Sequence, residues 1–370
     1  PLAFYWFALD TPQPAIAQLH AATPSPQRPV LTTANNWEQL LAPRQRQQVE
    51  EVLPQYMTAC RWFGAKTRQV TAAEVVEDIR VEVQGRTAHV LLVQLTYTQG
   101  EPETYCVPLT CVVGDDARAL AENNPQAVVA RVHYRHSSDT GVLYDATSDA
   151  DFGNAIFDAI LRRRRMRGAH GRVVAHPFRW LRQQALNTEA LPTATPARNE
   201  QSNTSLLYGE QCILKFFRRV ESGTNPDLEI GRFLSEQCGF KHVPPVAGAL
   251  TYEREQHAPI TLGVLQGYVR NDGDAWQYAV KAVSRYYQWI LSHRPNADEV
   301  LIPTQSPLHL VSTSIPSTVQ EAIDPSSLEK IRRLGQRTGE LHQALASETD
   351  NADFCLLYTS PSPRDEKVSR

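Results

Sequence analysis

The sequence predicts an α+β fold, and three observations support this prediction. β-prone runs separated by glycine-containing turns occupy the first third of the chain. A strand–turn–strand–loop–helix pattern lies near the middle, within Glu200–Glu229. Two amphipathic helical patterns, Asp274–Leu291 and Ser326–Ala346, follow toward the C-terminal end. Because the chain has 370 residues, we expect these regions to form two or three domains.

The composition argues against several classes of protein. The formal net charge is only −3, so the chain lacks the excess of charge that binds nucleic acid or membranes. No apolar run approaches the ~18 residues of a membrane span, and no signal peptide opens the sequence. The 6 cysteines form no CxxC pair, which favours reduced thiols over a zinc site. We therefore expect a cytoplasmic protein that binds neither nucleic acid nor membranes.

The N-terminal residues are expected to precede the main domains. Residues 1–10 contain the aromatic run Phe4–Leu9, which is typical of a short strand that ends a preceding domain or edges the next one. The chain begins with Pro1 rather than Met, which suggests a piece of a longer or processed chain. Residues 11–36 are predicted to be a linker without sustained periodicity. Its prolines are Pro12, Pro14, Pro24, Pro26 and Pro29.

Residues 37–125 are predicted to form a small α+β domain. Trp37–Met57 has a helical pattern, and the loop Arg61–Thr67 follows it. Glycine turns at Gln84-Gly85 and Gln99-Gly100 separate the strands that come next. The predicted strands are Glu74–Val83, Thr87–Tyr97 and Glu103–Val113.

The loop after the first helix permits two interpretations. Arg61, Trp62 and Lys66 together resemble a small binding site. An arginine beside a tryptophan also serves as stacking and packing material. We favour the packing role.

The strand prediction Gln211–Phe217 carries an unusual lysine, Lys215. It follows the shorter strand prediction Ser205–Tyr208 across a glycine turn. Because side chains alternate along a strand, Lys215 shares one face with two apolar neighbours. An unpaired charge on a buried face is costly, so Lys215 needs a partner unless it extends to solvent.

Glu229 is the predicted partner of Lys215. Asn225-Pro226-Asp227 is typical of a helix start, and Glu229 lies about one turn inside that helix. A strand lysine paired with a glutamate of the next helix is how protein-kinase-like folds hold the lysine against ATP phosphates. The alternative is that Lys215 extends to solvent and that Glu229 is a surface charge.

Seven stretches in order carry a resemblance to a known family. They are Arg61–Lys66, Glu200–Ser205, Ile213–Lys215, Asn225–Glu229, Pro244–Leu250, Leu265–Val269 and Gly273–Trp276. In these stretches residues 37–354 resemble the maltokinase family, which is distantly related to the aminoglycoside phosphotransferases. The resemblance implies a protein-kinase-like small lobe at residues 126–270, preceded by an antiparallel α+β cap domain at residues 37–125. It also implies an incomplete helical C-terminal lobe at residues 271–354.

The resemblance further implies that the cofactors are ATP and Mg²⁺. Lys215 would hold the phosphates, and Glu229 would orient Lys215. The backbone groups of Gln266 and Tyr268 would pair with the adenine edge, where the chain crosses between lobes.

The small polar residues of Glu200–Thr204 offer a second phosphate contact. Backbone amides and hydroxyls in such a turn bind phosphate well. The residues concerned are Ser202, Asn203 and Thr204. The alternative is a plain β-turn, because the glycine-rich loop of protein kinases is missing.

Asp151-Phe152-Gly153 spells a kinase metal-binding motif, but we reject that function. The motif should follow the phosphate-binding lysine, whereas here it precedes Lys215. We predict instead a helix capped by Asp151, with apolar residues at helical spacing that include Phe152 and Ile160. Arg162–Arg165 should continue this helix as a solvated face.

The C-terminal part lacks the residues that phosphoryl transfer requires. Asp274 caps a helix or binds sugar, and we favour the cap. In the maltokinase family a His-Gly-Asp loop and a later aspartate follow the Ser326–Ala346 helix, and this sequence has no His-Gly-Asp. We therefore expect no catalytic residue and no metal ligand in the fragment. Residues 355–370 resemble a non-native tail of translated sequencing-adapter text, unless they are a natural polar tail.

We therefore predict a fragment of a maltokinase fused to trehalose synthase. The parent would convert ATP and maltose to ADP and maltose 1-phosphate for α-glucan synthesis, and the fragment would bind nucleotide without turnover. One alternative is another small-molecule phosphotransferase that acts on an aminoglycoside or a choline-like alcohol. A second alternative is a non-catalytic nucleotide-binding module.

Overall fold

The computed structural model describes residues 28–137, 139–185, 193–197, 203–293, 323 and 325–347. The predicted strand at residues 1–10, most of the predicted linker and the predicted tail lie outside these ranges. None of the helices in the described ranges has the length and hydrophobicity needed to cross a membrane. The observed architecture is α+β with two sheets, which confirms the predicted class.

The first sheet is built mainly from antiparallel strands. In spatial order it runs β1, β5, β6, β4, β3 and β2, and β12 also pairs with β4. The strands are β1 Val30–Thr33, β2 Val70–Val83, β3 Arg86–Tyr97, β4 Glu103–Val113, β5 Val128–Tyr134, β6 Thr140–Asp145 and β12 Arg219–Val220. We call residues 28–149 the first domain. Its sheet continues through β6, beyond residue 125, where the sequence suggested a boundary.

Helical segments cover one face of the first sheet. The predicted single helix Trp37–Met57 is wrong, because the structure has a 3-10 helix, Trp37–Leu41, and a separate α-helix α1, Arg46–Ala59. Both segments bury apolar side chains against β3, which is buried over most of its length because the second domain covers its other face. α2, Gly114–Asn123, and a 3-10 turn, Pro125–Ala127, then lead into β5.

The predicted linker does not extend through Val30–Thr33. These four residues form β1, which pairs in parallel with β5. β-branched side chains favour an extended backbone, which explains why a strand forms beside the proline-rich stretch.

The second sheet runs in the order β7, β8, β13, β14, β11, β10 and β9. We call residues 150–267, which contain these strands, the second domain. The strands are β7 Arg165–Arg167, β8 Arg172–Pro177, β9 Ala194–Pro196, β10 Asn203–Tyr208, β11 Cys212–Phe217, β13 Val246–Glu253 and β14 Ile260–Gly267. The helices of this domain are α3 Ala150–Leu161, α4 Arg179–Ala185 and α5 Pro226–Arg232, which a π-turn, Phe233–Gln237, extends.

α3 is the helix predicted at Asp151-Phe152-Gly153, but its cap was assigned wrongly. Asp149 is the N-cap, and its carboxylate accepts a hydrogen bond from the Asp151 amide at 2.9 Å. Either aspartate fits a capping pattern, so only the position of the first helical turn decides between them. Phe152 and Ile160 are buried on one face, as predicted.

The arginine run does not continue α3. The helix ends at Leu161, Arg163 has a φ of +55°, and Arg165 begins β7. The positive φ turns the chain back on itself, which ends the helix. The arginine side chains of residues 162–165 are exposed, so the predicted solvated surface is confirmed.

The two domains share one hydrophobic core. Ile79, Val90 and Cys106 of the first sheet belong to the same buried cluster as Leu214 and Phe216 of the second. The buried Glu77 side chain of β2 accepts hydrogen bonds from the Ala169 and His170 amides of the β7–β8 turn. The first sheet therefore packs directly on the second domain.

Among the described residues, two longer helices follow β14. They are α6, Ala275–His293, and α7, Pro325–Leu345. The predicted cap of α6 is confirmed, because the Asp274 carboxylate accepts a hydrogen bond from the Gln277 amide at 2.7 Å. The helices touch where Tyr278 meets Ser327, but large apolar side chains on both remain exposed.

Candidate functional site

Lys215 lies in the middle of the second sheet, on the face toward α5. β11 pairs with β10 on one side and β14 on the other, so Lys215 stands opposite Ser205 and Val264. Its neighbours Leu214 and Phe216 point to the opposite face and are buried in the core with α3. The predicted alternation of β11 is therefore confirmed. The Lys215 side chain remains 35% exposed.

The structure pairs Lys215 with Asp227 in the first turn of α5. The Lys215 Nζ atom lies 3.2 Å from Asp227 Oδ2. The helix begins as predicted, since Asn225 is the N-cap and its side chain accepts a hydrogen bond from the Asp227 amide at 2.9 Å. Asp227 is two residues before the predicted partner, Glu229. The lysine and a helix carboxylate do meet, at a residue that the sequence prediction did not choose.

The predicted phosphate turn is only partly described. Ser202 lies outside the described residues, and Asn203 and Thr204 are the first residues of β10, in strand conformation. The turn therefore does not extend to Thr204 as predicted. The Thr204 hydroxyl accepts a hydrogen bond from Arg218 Nε at 2.8 Å.

The predicted adenine contacts lie at the end of β14. Gln266 pairs with Ile213 of β11 and Val246 of β13, so its backbone is inside the sheet. The Tyr268 amide donates to the Gln211 carbonyl at 2.8 Å. In this structure the Tyr268 amide is engaged with the protein's own backbone.

Arg218, directly after β11, is the most buried charged residue near the site. It is 1% exposed, and its Nη2 atom lies 2.8 Å from Asp145 Oδ2 and 2.6 Å from Thr147 Oγ1. Burial alone would lower its pKa, but the Asp145 carboxylate raises the pKa above its ordinary value. Arg218 therefore stays charged. Its guanidinium carbon also lies 4.8 Å from the Trp62 ring centre.

Trp62 is the one residue of the predicted packing group that packs. It lies against the core of the first domain, whereas Arg61 and Lys66 are exposed. The prediction that all three pack is wrong for these two. The arginine that stacks on Trp62 is Arg218, which is distant in sequence.

A shallow groove of about 460 Å³ opens elsewhere, between α2 and the start of α3. It is lined in part by Arg86, Asp149 and Tyr144, and not by Lys215 or Asp227. Arg86 Nη2 lies 2.8 Å from Asp149 Oδ2, and the Tyr144 hydroxyl donates to the same oxygen. These contacts fix the start of α3, so we assign the groove a structural role.

The described residues contain no group of three or more His, Cys, Asp or Glu side chains arranged to hold a metal ion. Five cysteines of the described ranges are free thiols. Burial raises the pKa of the Cys106 and Cys212 thiols to about 12.

Comparisons with known proteins find a match in part of the first domain and a structural likeness over more of the chain. Residues 56–149 match the maltokinase N-terminal cap domain. A structure of glucosamine kinase in complex with glucosamine, ADP and inorganic phosphate is 16% identical, with a TM-score of 0.42 over 85% of this chain and 53% of that chain. Glucosamine kinase in crystal form A is also 16% identical, with a TM-score of 0.38 over 74% of this chain and 46% of that chain. This chain thus spans about half the length of the glucosamine kinases that it matches.

Proposed function

We propose that this chain is the nucleotide-binding part of an ATP-dependent sugar kinase of the maltokinase type. The observation that carries the proposal is the pairing of Lys215 with the first-turn carboxylate of α5. A strand lysine held by a carboxylate of the adjacent helix is how kinase-like folds bind phosphates. The maltokinase cap domain, which directly precedes this lobe, supports the sugar kinase assignment.

The described residues fit the phosphate end of ATP. The Lys215 ammonium is partly exposed, so an anion can approach it without displacing core side chains. Asp227 holds the ammonium in place and leaves it further N–H donors, since an ammonium has three. Bound ATP would supply the phosphoryl group, and bound Mg²⁺ would neutralise charge on its phosphates. Asp227 takes the orienting role that the sequence analysis gave to Glu229.

The adenine end fits less well. The Tyr268 amide already bonds to Gln211, so this donor is not open to a base. We therefore propose phosphate contacts at Lys215 and make no assignment of an adenine contact to that amide.

The proposed acceptor of the parent enzyme is maltose, which gives maltose 1-phosphate. We further propose fusion to trehalose synthase and, for this chain alone, nucleotide binding without turnover. The maltokinase cap domain at residues 56–149 supports the choice of acceptor over other sugars or alcohols.

A calorimetric titration with Mg-ATP, followed by a coupled assay of ADP release, tests the proposal. We expect saturable ATP binding and no ADP release above background with maltose. Absence of ATP binding would refute the nucleotide-binding assignment. ADP release with glucosamine or choline, but not with maltose, would refute the acceptor assignment. ADP release with maltose would refute only the expected lack of turnover.

A further inference from the structure

One end of the β10–β11 strand pair is fixed to the first domain. Thr204 near the start of β10 lies opposite Phe216 near the end of β11, so both strands meet the first domain at the same end. The Cys106 amide of β4 donates to the Arg218 carbonyl at 2.7 Å. The chain then continues as β12, which joins the first sheet beside β4. Lys215 is three residues from this attachment.

The Arg218 side chain joins the two domains at the same point. It donates through Nε to Thr204 on β10 and through Nη2 to Thr147 of the first domain. The Asp145 carboxylate forms an ion pair with Arg218 through Oδ2, and its other oxygen accepts hydrogen bonds from the Thr147 amide and hydroxyl. Tyr56 of α1 donates to the same carboxylate at 3.0 Å. These contacts form one buried network from α1 to β10.

We propose that Arg218 is a positioning residue through which the first domain sets the place of Lys215 in the phosphate site. Arg218 does not face the ligand itself, because its side chain is buried between the domains. It fixes the strand pair at the end nearest Lys215, in an interior where charged hydrogen bonds are strong and directional. A small shift of this end moves the Lys215 ammonium relative to Asp227. The inference rests on the proposed nucleotide binding.

The test compares ATP with AMP in Thr147→Val, which removes the hydroxyl on the first-domain side of Arg218. Lys215 is proposed to bind the outer phosphates, which AMP lacks. We therefore expect the ratio of ATP to AMP affinity to fall by about ten-fold, because a displaced Lys215 would lose one charged hydrogen bond to these phosphates. Thr147→Ser keeps the hydroxyl and should restore the wild-type ratio. Thr110→Val removes a buried hydroxyl of β4 whose described hydrogen bond, to the Thr87 carbonyl, lies within the first sheet, and it should leave the ratio unchanged. If Thr147→Val does not fold, Asp145→Asn weakens the same network and replaces it.

The outcomes separate this inference from the proposed function. An unchanged ratio in Thr147→Val, with normal ATP binding by the wild-type protein, overturns the positioning role and leaves the proposed function intact. An equal loss in Thr110→Val also overturns it, because the effect would then be general destabilisation. Absence of ATP binding by the wild-type protein overturns both.

A double-mutant cycle adds a second readout. Thr204→Val removes the hydroxyl on the β10 side of Arg218. If both hydroxyls act through Arg218, the ratio in the double variant should fall less than the product of the two single effects. A loss confined to Thr204→Val would mean that Thr204 meets the phosphates directly and would overturn the inference.

Discussion

Glu77 shows how a single buried carboxylate holds the first domain to the second. The side chain is on β2 and is 2% exposed. It accepts hydrogen bonds from the Ala169 and His170 amides and from the Tyr252 hydroxyl. These donors come from the β7–β8 turn and from β13, so one carboxylate on β2 joins the first sheet to a turn and a strand of the second sheet. A buried charge is tolerated where hydrogen bonds satisfy it in this way.

Glu77→Gln should destabilise the protein by about 2–3 kcal/mol, because an amide cannot accept all these hydrogen bonds and leaves a buried donor unpaired. The free energy of unfolding in urea measures the loss. Glu74→Gln on the same strand is the matched control, because Glu74 is exposed. Equal stability of both variants would show that the Glu77 contacts do not hold the domains together.

The partner of Lys215 shows what sequence can and cannot specify at one residue. Strand alternation predicted the face of Lys215, and the Asn-Pro-Asp signature predicted the start of α5. Both Asp227 and Glu229 lie in the first turn of that helix. The rotation of the helix on the sheet decides which carboxylate reaches the lysine, and tertiary packing sets this rotation. Arg218 gave no local signal, because its partners Asp145 and Thr147 lie far away in sequence.

At the scale of elements, α3 approaches the second sheet through a glycine. A Cβ atom at Gly153 would lie 2.4 Å from the Ala194 Cβ atom of β9. The Gly153 carbonyl also accepts a hydrogen bond from the buried Tyr208 hydroxyl at 2.9 Å. The helix therefore packs on the sheet at a distance that only glycine permits.

Gly153→Ala should destabilise the protein by about 1–3 kcal/mol, because the clash exceeds the gain of ~1 kcal/mol in helix propensity. Gly339→Ala in α7 is the matched control, since no atom of the described residues lies within 4 Å of its Cβ position. We expect that variant to be neutral or up to ~1 kcal/mol more stable. Thermal unfolding shows whether each variant is more or less stable than the wild-type protein. Stabilisation by Gly153→Ala would contradict the close packing.

Strands were predictable where neighbours in sequence are neighbours in space. The predicted β3 and β4 agree with the structure within one residue at each end, because they pair with each other across a short turn. Long-range pairs such as β1 with β5 and β12 with β4 could not be predicted in this way.

At the scale of the whole molecule, the main exposed apolar surface of the described residues lies on its last two helices, α6 and α7. Trp276 and Leu291 of α6 are 77% and 73% exposed, and Ile331 and Leu334 of α7 are 65% and 66% exposed. Surfaces of this kind promote association and aggregation.

Ile331→Lys combined with Leu334→Lys should reduce self-association, because both changes replace exposed apolar surface by charge. Gln336→Lys combined with Gln343→Lys adds the same charge to α7 without removing apolar side chains, and serves as the control. Light scattering after size-exclusion chromatography, over a range of protein concentrations, measures the effect. Equal behaviour of both pairs would show that charge alone governs solubility.

The proposed phosphate site is tested most directly by the affinity of Lys215→Met for Mg-ATP. Methionine keeps most of the length of the side chain and removes the ammonium. The control is Lys66→Met, because Lys66 is an exposed lysine of the first domain. Isothermal titration should show ATP binding weakened by at least about ten-fold in Lys215→Met, the effect of losing a charged hydrogen bond, and unchanged in Lys66→Met. Binding of Mg-ATP by Lys215→Met as tightly as by the wild-type protein would contradict the account.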